Sequence, residues 1–149
     1  MKNYLNQKKM IAIIMILICS IQLFAQNKLP IKYSNYLNIN YPNWKYSNKA
    51  KYCEAGGIGT SKSIIKFDFN KDEQPDYVVK INSRNHGYII VFFSIMNSFK
   101  THVIEDIDGN MDNCKINLYK GKLYVNFCEV SSYFCKYNGS TLEKHWLTD

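Results

Sequence analysis

The chain has 149 residues, with 19 Lys plus Arg against 12 Asp plus Glu and a formal charge of +7. Its positive charges are scattered singly and only one is an arginine, Arg84, which argues against nucleic acid as a partner because Arg is the usual reader of bases and phosphates. No internal repeat and no low-complexity segment interrupts it.

Residues 1–25 read as an export signal. Lys2, Lys8 and Lys9 form a basic start, "MIAIIMILIC" an apolar run and "SIQLFAQ" a short tail. Leu23 and Ala25 suit positions −3 and −1, which places the cut after Ala25. The alternative is a membrane anchor, but the 16 residues from Met10 to Ala25 contain Ser20 and Gln22. A spanning helix wants about 20 predominantly apolar residues. Lipid attachment at Cys19 is disfavoured by Ile18, where a small residue is required. Residues 26–149 then form one exported domain, periplasmic or extracellular, with no transmembrane segment and enough chain for a real core. Three lysines leave with the signal, so its charge falls to +4.

The domain opens with a helix over about residues 30–39. Pro30 suits a first turn, Ile31, Tyr33 or Ser34, and Leu37 recur at helical spacing, and Pro42 ends the pattern. Strand signals follow. "WKYSNKAKYCE" alternates weakly, "AGGIGT" is a flexible connection, and "SIIKFDF" and "YVVKI" flank an acidic loop. After the turn "NSRNHG" comes "YIIVFFSI", an apolar run fit for a buried strand. "THVIEDI" leads to a second polar loop, "DGNMDN". "CKINLY" and "KLYVNF" flank Lys120-Gly121, and "YFCKY" and "TLEKHWL" flank Asn138-Gly139-Ser140, where Asn-Gly favours a type I′ turn. The sum is a mainly β, α+β fold: an antiparallel meander of about seven or eight strands in one sheet, with an N-terminal helix packed on it.

Cys19 leaves with the signal, and Cys53, Cys114, Cys128 and Cys135 remain. Four cysteines in an exported domain suggest two disulfides, with three connectivities open. Cys53–Cys114 with Cys128–Cys135 is slightly preferred. Cys114 facing Cys128 across Lys120-Gly121, or a set of buried free thiols, are the alternatives. No C-x-x-C spacing supports zinc or redox chemistry.

The stretch "DFNKDEQPDYVV" carries the chemistry. Oxygen donors fall at alternate positions: Asp68, Asn70, Asp72, Gln74 through its carbonyl, and Asp76. Calcium takes several such oxygens in flexible geometry, and a divalent ion relieves the repulsion of crowded carboxylates. "FDFNKDEQPDYVV" resembles the short calcium loop of FG-GAP and VCBS-type repeats, in which an Asp-rich loop joins two strands. That resemblance spans about 15 residues. More loosely, the chain resembles small exported bacterial proteins carrying one such loop, which are mostly uncharacterised. The sixth loop position, Gly in the pattern, is Glu73, and Pro75 stiffens the return. An EF-hand is excluded because the twelfth position is Val79, where a bidentate Glu is required. The competing reading is a β-turn in which Asp and Asn bond their own backbone. Asp106, Asp108, Asn110 and Asp112 alternate in the same way and read mainly as a solvated turn. One copy of the loop cannot build a propeller, which needs at least four blades.

Three histidines, His86, His102 and His145, form no H-E-x-x-H pair, and there is no G-x-S-x-G elbow and no Gly-rich phosphate loop. Twelve Tyr, eight Phe and two Trp are many for this length and suggest a binding surface beyond the core. "YPNWKY", with Tyr41, Trp44 and Tyr46, is the best candidate, against the plainer reading of Trp44 as a core anchor. The expectation is an exported, non-enzymatic binding module for a protein or an envelope glycan, holding calcium weakly. The alternative is a small cell-envelope hydrolase or hydrolase inhibitor.

Overall fold

The computed structural model describes residues 28–47, 61–127 and 131–147. Residues 1–25, expected to be an export signal, the "AGGIGT" connection, Cys53 and Cys128 lie outside them. The elements in chain order are helix α1 (Ile31–Asn40), β1 (Lys45–Tyr46), β2 (Ile64–Phe67), β3 (Asp76–Ser83), β4 (His86–Ile95), β5 (Ser98–Asp108), a 3-10 turn (Met111–Asn113), β6 (Cys114–Tyr119), β7 (Lys122–Phe127), β8 (Ser131–Tyr137) and β9 (Leu142–Trp146). The fold is mainly β with one helix, and every described strand pair is antiparallel.

The expected single sheet is instead two. β3, β4 and β5 form the body of the first, and β1 and β2 lie end to end along the free edge of β3. β6 to β9 form the second, a four-stranded meander. The break comes at the polar segment after β5. There the 3-10 turn crosses between sheets, and Asn82 grips it twice: its Oδ1 accepts the Met111 N–H at 2.7 Å, and its Nδ2 donates to Asp112 at 3.1 Å. Gly87 makes room for the crossing, since a Cβ there would lie 2.8 Å from the Met111 backbone nitrogen.

The first sheet is covered on both faces, which explains the unbroken apolar run of β4. Its odd and even residues part company. Val78, Ile89, Val91 and Phe93 join Ile116, Leu123, Val125 and Tyr133 of the second sheet in one core. Val79, Ile81, Ile90 and Phe92 face the helix, packing against Leu29, Tyr33 and Leu37. The layers are therefore helix, sheet, sheet. Ile31, expected on the helix's apolar stripe, is 79% exposed, because Tyr33 and Leu37 with the partly buried Tyr36 already cover that face.

A bulge opposite Ile89 and Ile90 leaves Ile104 without a ladder partner. Ile104 joins the intersheet core, and Glu105 accepts a hydrogen bond from Tyr133 Oη at 2.6 Å and pairs with Lys144. A bulge turns consecutive side chains toward one face. The hairpin at Lys120-Gly121 forms as its residues dictate, both with positive φ (47° and 73°). Asn138-Gly139 does not make the two-residue turn. Tyr137 pairs with Leu142, and Asn138 Oδ1 instead accepts the N–H groups of Ser140 and Thr141 across a four-residue loop.

Candidate functional site

The acidic loop joins β2 to β3. Asp68 accepts the N–H groups of Asp72 and Glu73 on its two oxygens, at 3.2 and 2.9 Å. Asn70 Oδ1 accepts the Asp72 N–H at 3.2 Å, and Asp72 accepts from Gln74 N and Asn70 Nδ2, both at 2.9 Å. The backbone turns left-handed twice, at Lys71 (φ 62°) and Glu73 (φ 65°). Residues with a Cβ take that conformation at a cost of about 1–2 kcal/mol. Glu73, the position where the expected loop pattern would have Gly, thus takes a backbone that favours glycine.

Asp76 stands apart. It is fully buried at the start of β3, and its two oxygens accept the N–H groups of Phe69 and Ser94, both at 2.9 Å. It ties the loop to β4. Burial raises its carboxyl above the ordinary 3.8, the two N–H groups pull it down, and Asp72 and Asp68 push it up again. Asp68, Asn70 and Asp72 therefore close on one another at the surface, while Asp76 is turned to the interior. Among the described residues, no three His, Cys, Asp or Glu side chains are grouped to hold a metal ion.

The second alternating cluster is split by the fold. Asp106 and Asp108 lie on β5 beside His86, whose Nδ1 is 3.2 and 3.6 Å from their oxygens. Asn110 caps the 3-10 turn by accepting the Asp112 N–H at 3.0 Å, and Asp112 points back to Ser47 and Asn82. At this end of β3 lies an open cleft of about 360 Å³, lined by the α1 C-terminus with Tyr41, the Arg84-Asn85 turn, His86 and Tyr88. Burial first, then Tyr36, Tyr88 and Asp106, pushes the Tyr41 hydroxyl up to about 12. Tyr41, Trp44 and Tyr46 do not form one exposed surface. Tyr41 meets Tyr88 in the cleft, Trp44 meets Tyr46 edge-on at 5.0 Å, and all three are half-buried against the helix-side core.

Cys114 and Cys135 are buried thiols in the intersheet core, each raised to about 12 by burial. The partners expected for them, Cys53 and Cys128, lie outside the described residues. Sequence reasoning passed over Lys80, the fourth residue of "YVVKI". Its side chain enters the intersheet space fully buried, donating to the Cys114 carbonyl and to Ser61 Oγ at 2.7 Å. The signal was there: a lone lysine inside a continuous apolar strand has to be buried or to break the pattern.

No described helix is long and apolar enough to cross a membrane. The chain matches no family model, no curated protein and no solved structure.

Proposed function

We propose that the chain is an exported, non-enzymatic binding domain, periplasmic or extracellular, whose acidic loop takes calcium weakly. The observation that carries the loop reading is Glu73. It holds a left-handed backbone, the conformation that favours glycine, at the position where the calcium pattern has Gly, while Asp68 gathers the N–H groups of residues 72 and 73. Asp68, Asn70 and Asp72 supply the surface oxygens, Gln74 a carbonyl, and Asp76 anchors the return. A site lacking Gly and a distal Glu belongs on the scale of extracellular modules, roughly 10⁻⁴–10⁻³ M. Calcium at about ten times Kd then adds about 1.4 kcal/mol to stability. Melting curves in calcium and in chelator, for wild type and Asp72→Ala, test this. No shift at millimolar calcium, or a shift that Asp72→Ala leaves intact, refutes the loop as the site.

One observation favours the hydrolase reading. Ser61 Oγ is 2.7 Å from Lys80 Nζ, and burial lowers the lysine, which suits a base for a serine nucleophile. Against it, Lys80 is fully buried, Ser61 nearly so, and neither lines the described cleft. A fluorophosphonate that labels Ser61 in wild type but not in Lys80→Met would establish the hydrolase.

A further inference from the structure

The second sheet has one face in the core, and among the described residues no helix or strand is paired or packed on the other. Its inward residues alternate with outward ones along each strand, and the outward ones line up. The register places Asn117 opposite Tyr124, Tyr124 opposite Phe134 and Phe134 opposite His145. A single row therefore crosses all four strands, spanning about 14 Å at the usual strand spacing. Three of its members carry rings, and Tyr119 adds a fourth diagonally. The rings touch in sequence: Tyr119 to Tyr124 at 6.1 Å, Tyr124 to Phe134 at 5.8 Å, and Phe134 stacked on His145 at 5.0 Å and 13°.

Nothing in the core calls for this row. The opposite face of the same strands already supplies Ile116, Leu123, Val125, Tyr133, Cys135 and Leu142 to the intersheet core. Tyr119 is 59% exposed, and the other three rings are partly exposed. Lysines flank the row. Lys122 Nζ lies 4.2 Å from the Phe134 ring centre, Lys120 lies over Tyr119 at 5.2 Å, and Lys136 is exposed across from Glu143. Lys115 shares the face, by its place opposite Asn126. Among the described residues of these strands, Glu143 is the one carboxylate facing outward, so lysines outnumber carboxylates on this face.

We infer that this face is a docking platform for an acidic polysaccharide. The rings are tilted at 66° and 39° along the row and Phe134 is flanked by His145 and Lys122, so it is their exposed parts that form an apolar ridge for the C–H groups of successive pyranose units. Ammonium groups beside them pair with carboxylates, phosphates or sulfates, and the Asn117 amide both donates to and accepts from hydroxyls. The charge complementarity selects an anionic chain over a neutral one. The same chemistry holds single-stranded nucleic acid without sequence preference. Two features favour the polysaccharide: the one arginine, Arg84, sits on the other sheet at the β3–β4 turn, and the export signal expected at residues 1–25 would carry the chain out of the cell.

The inference deepens the binding-domain reading but does not depend on calcium. The test is accordingly run in chelator, on the exported protein, with soluble polyuronate, neutral dextran and single-stranded oligothymidylate as probes. Expected are saturable binding to polyuronate that weakens with salt, and none to dextran. Phe134→Ala should weaken binding at least tenfold, and Lys122→Gln with Lys136→Gln should flatten the salt dependence. Both variants should keep their cooperative melting, and Asp72→Ala should bind as wild type does. Absent polyuronate binding overturns the platform, whether or not the calcium shift is seen. So does binding that survives both sets of substitutions, equal binding to dextran, or tighter binding to the oligonucleotide.

Discussion

Each sheet lays a row of aromatic rings across its outward face, and among the described residues only one row is covered by another element. On the first sheet Tyr77, Phe92 and Phe99 meet Tyr33 and Tyr36 of the helix, with ring centres 4.7–5.7 Å apart where they touch. On the second, the row from Tyr119 to His145 meets no described element. The same residue types thus do two jobs. Under the helix they exclude water and fix the layer packing, and Tyr33 Oη finds Ser94 Oγ at 2.8 Å to satisfy its one polar atom. On the second sheet they pack on one another and on lysine side chains, Phe134 between His145 and Lys122, and leave only part of each ring exposed. Aromatic content alone did not distinguish these jobs; the number of layers did.

The largest expected effect tests that contrast directly. Tyr33→Ala removes a side chain with almost no exposure and three ring contacts, and should cost about 4 kcal/mol. Phe134→Ala, on the open row, should cost below about 1 kcal/mol. Denaturant unfolding of the two variants measures the gap. Equal costs would mean that the second row is covered in the folded protein, and the platform would lose its basis.

Asp76 marks the next difference. The first sheet contains buried polar groups that hold layers and loops in place; the second keeps its polar groups outside or at its rim. Asp76→Ala leaves the N–H groups of Phe69 and Ser94 without their acceptor and should cost about 3 kcal/mol. Its pH dependence has a definite sign. The folded carboxyl is raised above 3.8, chiefly by burial, so the native state holds its proton more tightly than the unfolded one. The residue's contribution is therefore most favourable below the unfolded pKa and declines as pH rises through the raised folded value. Stability curves of wild type minus Asp76→Ala should fall across that window. A difference that rises with pH there would mean that the two N–H bonds outweigh burial.

Much of this was legible. The helix, the buried β4, the Lys120-Gly121 hairpin and the antiparallel order follow from period, turn residues and strand formers. The division into two sheets was not, because consecutive hairpins look alike whether or not the chain changes layer. What changes it is a side chain from elsewhere, Asn82, holding the turn at Met111 and Asp112, and a glycine, Gly87, that lets the turn approach. Distant partners of this kind leave no local pattern. Lys80 was hidden for the same reason, since Ser61 and the Cys114 carbonyl come from other elements. The candidate site was half legible. The spacing of Asp68, Asn70 and Asp72 announced a folded loop, but not that Asp76 would turn inward. The open row was within reach: "CKINLY", "KLYVNF" and "SSYFCKY" alternate with period two, and the aromatics at their polar positions mark it.

The smallest effect sharpens the loop itself. Glu73 and Lys71 both hold left-handed backbone at the surface, where a side chain costs about 1–2 kcal/mol relative to glycine. Glycine in turn adds freedom to the unfolded chain, worth about 0.4–1 kcal/mol. The balance predicts that Glu73→Gly stabilises the protein by about half to one kcal/mol in chelator, a sign rarely seen for glycine. Lys71→Gly should do the same, because its φ is nearly equal. The two then diverge in calcium. Glu73→Gly restores the sixth position of the calcium pattern and should keep or enlarge the calcium-dependent shift in melting. Lys71→Gly changes a position that supplies no ligand and should leave that shift as it is. If both variants stabilise in chelator and neither responds to calcium, the loop is a strained turn and nothing more. If Glu73→Gly destabilises in chelator, residue 73 is not held left-handed, and the observation that carries the calcium reading is gone.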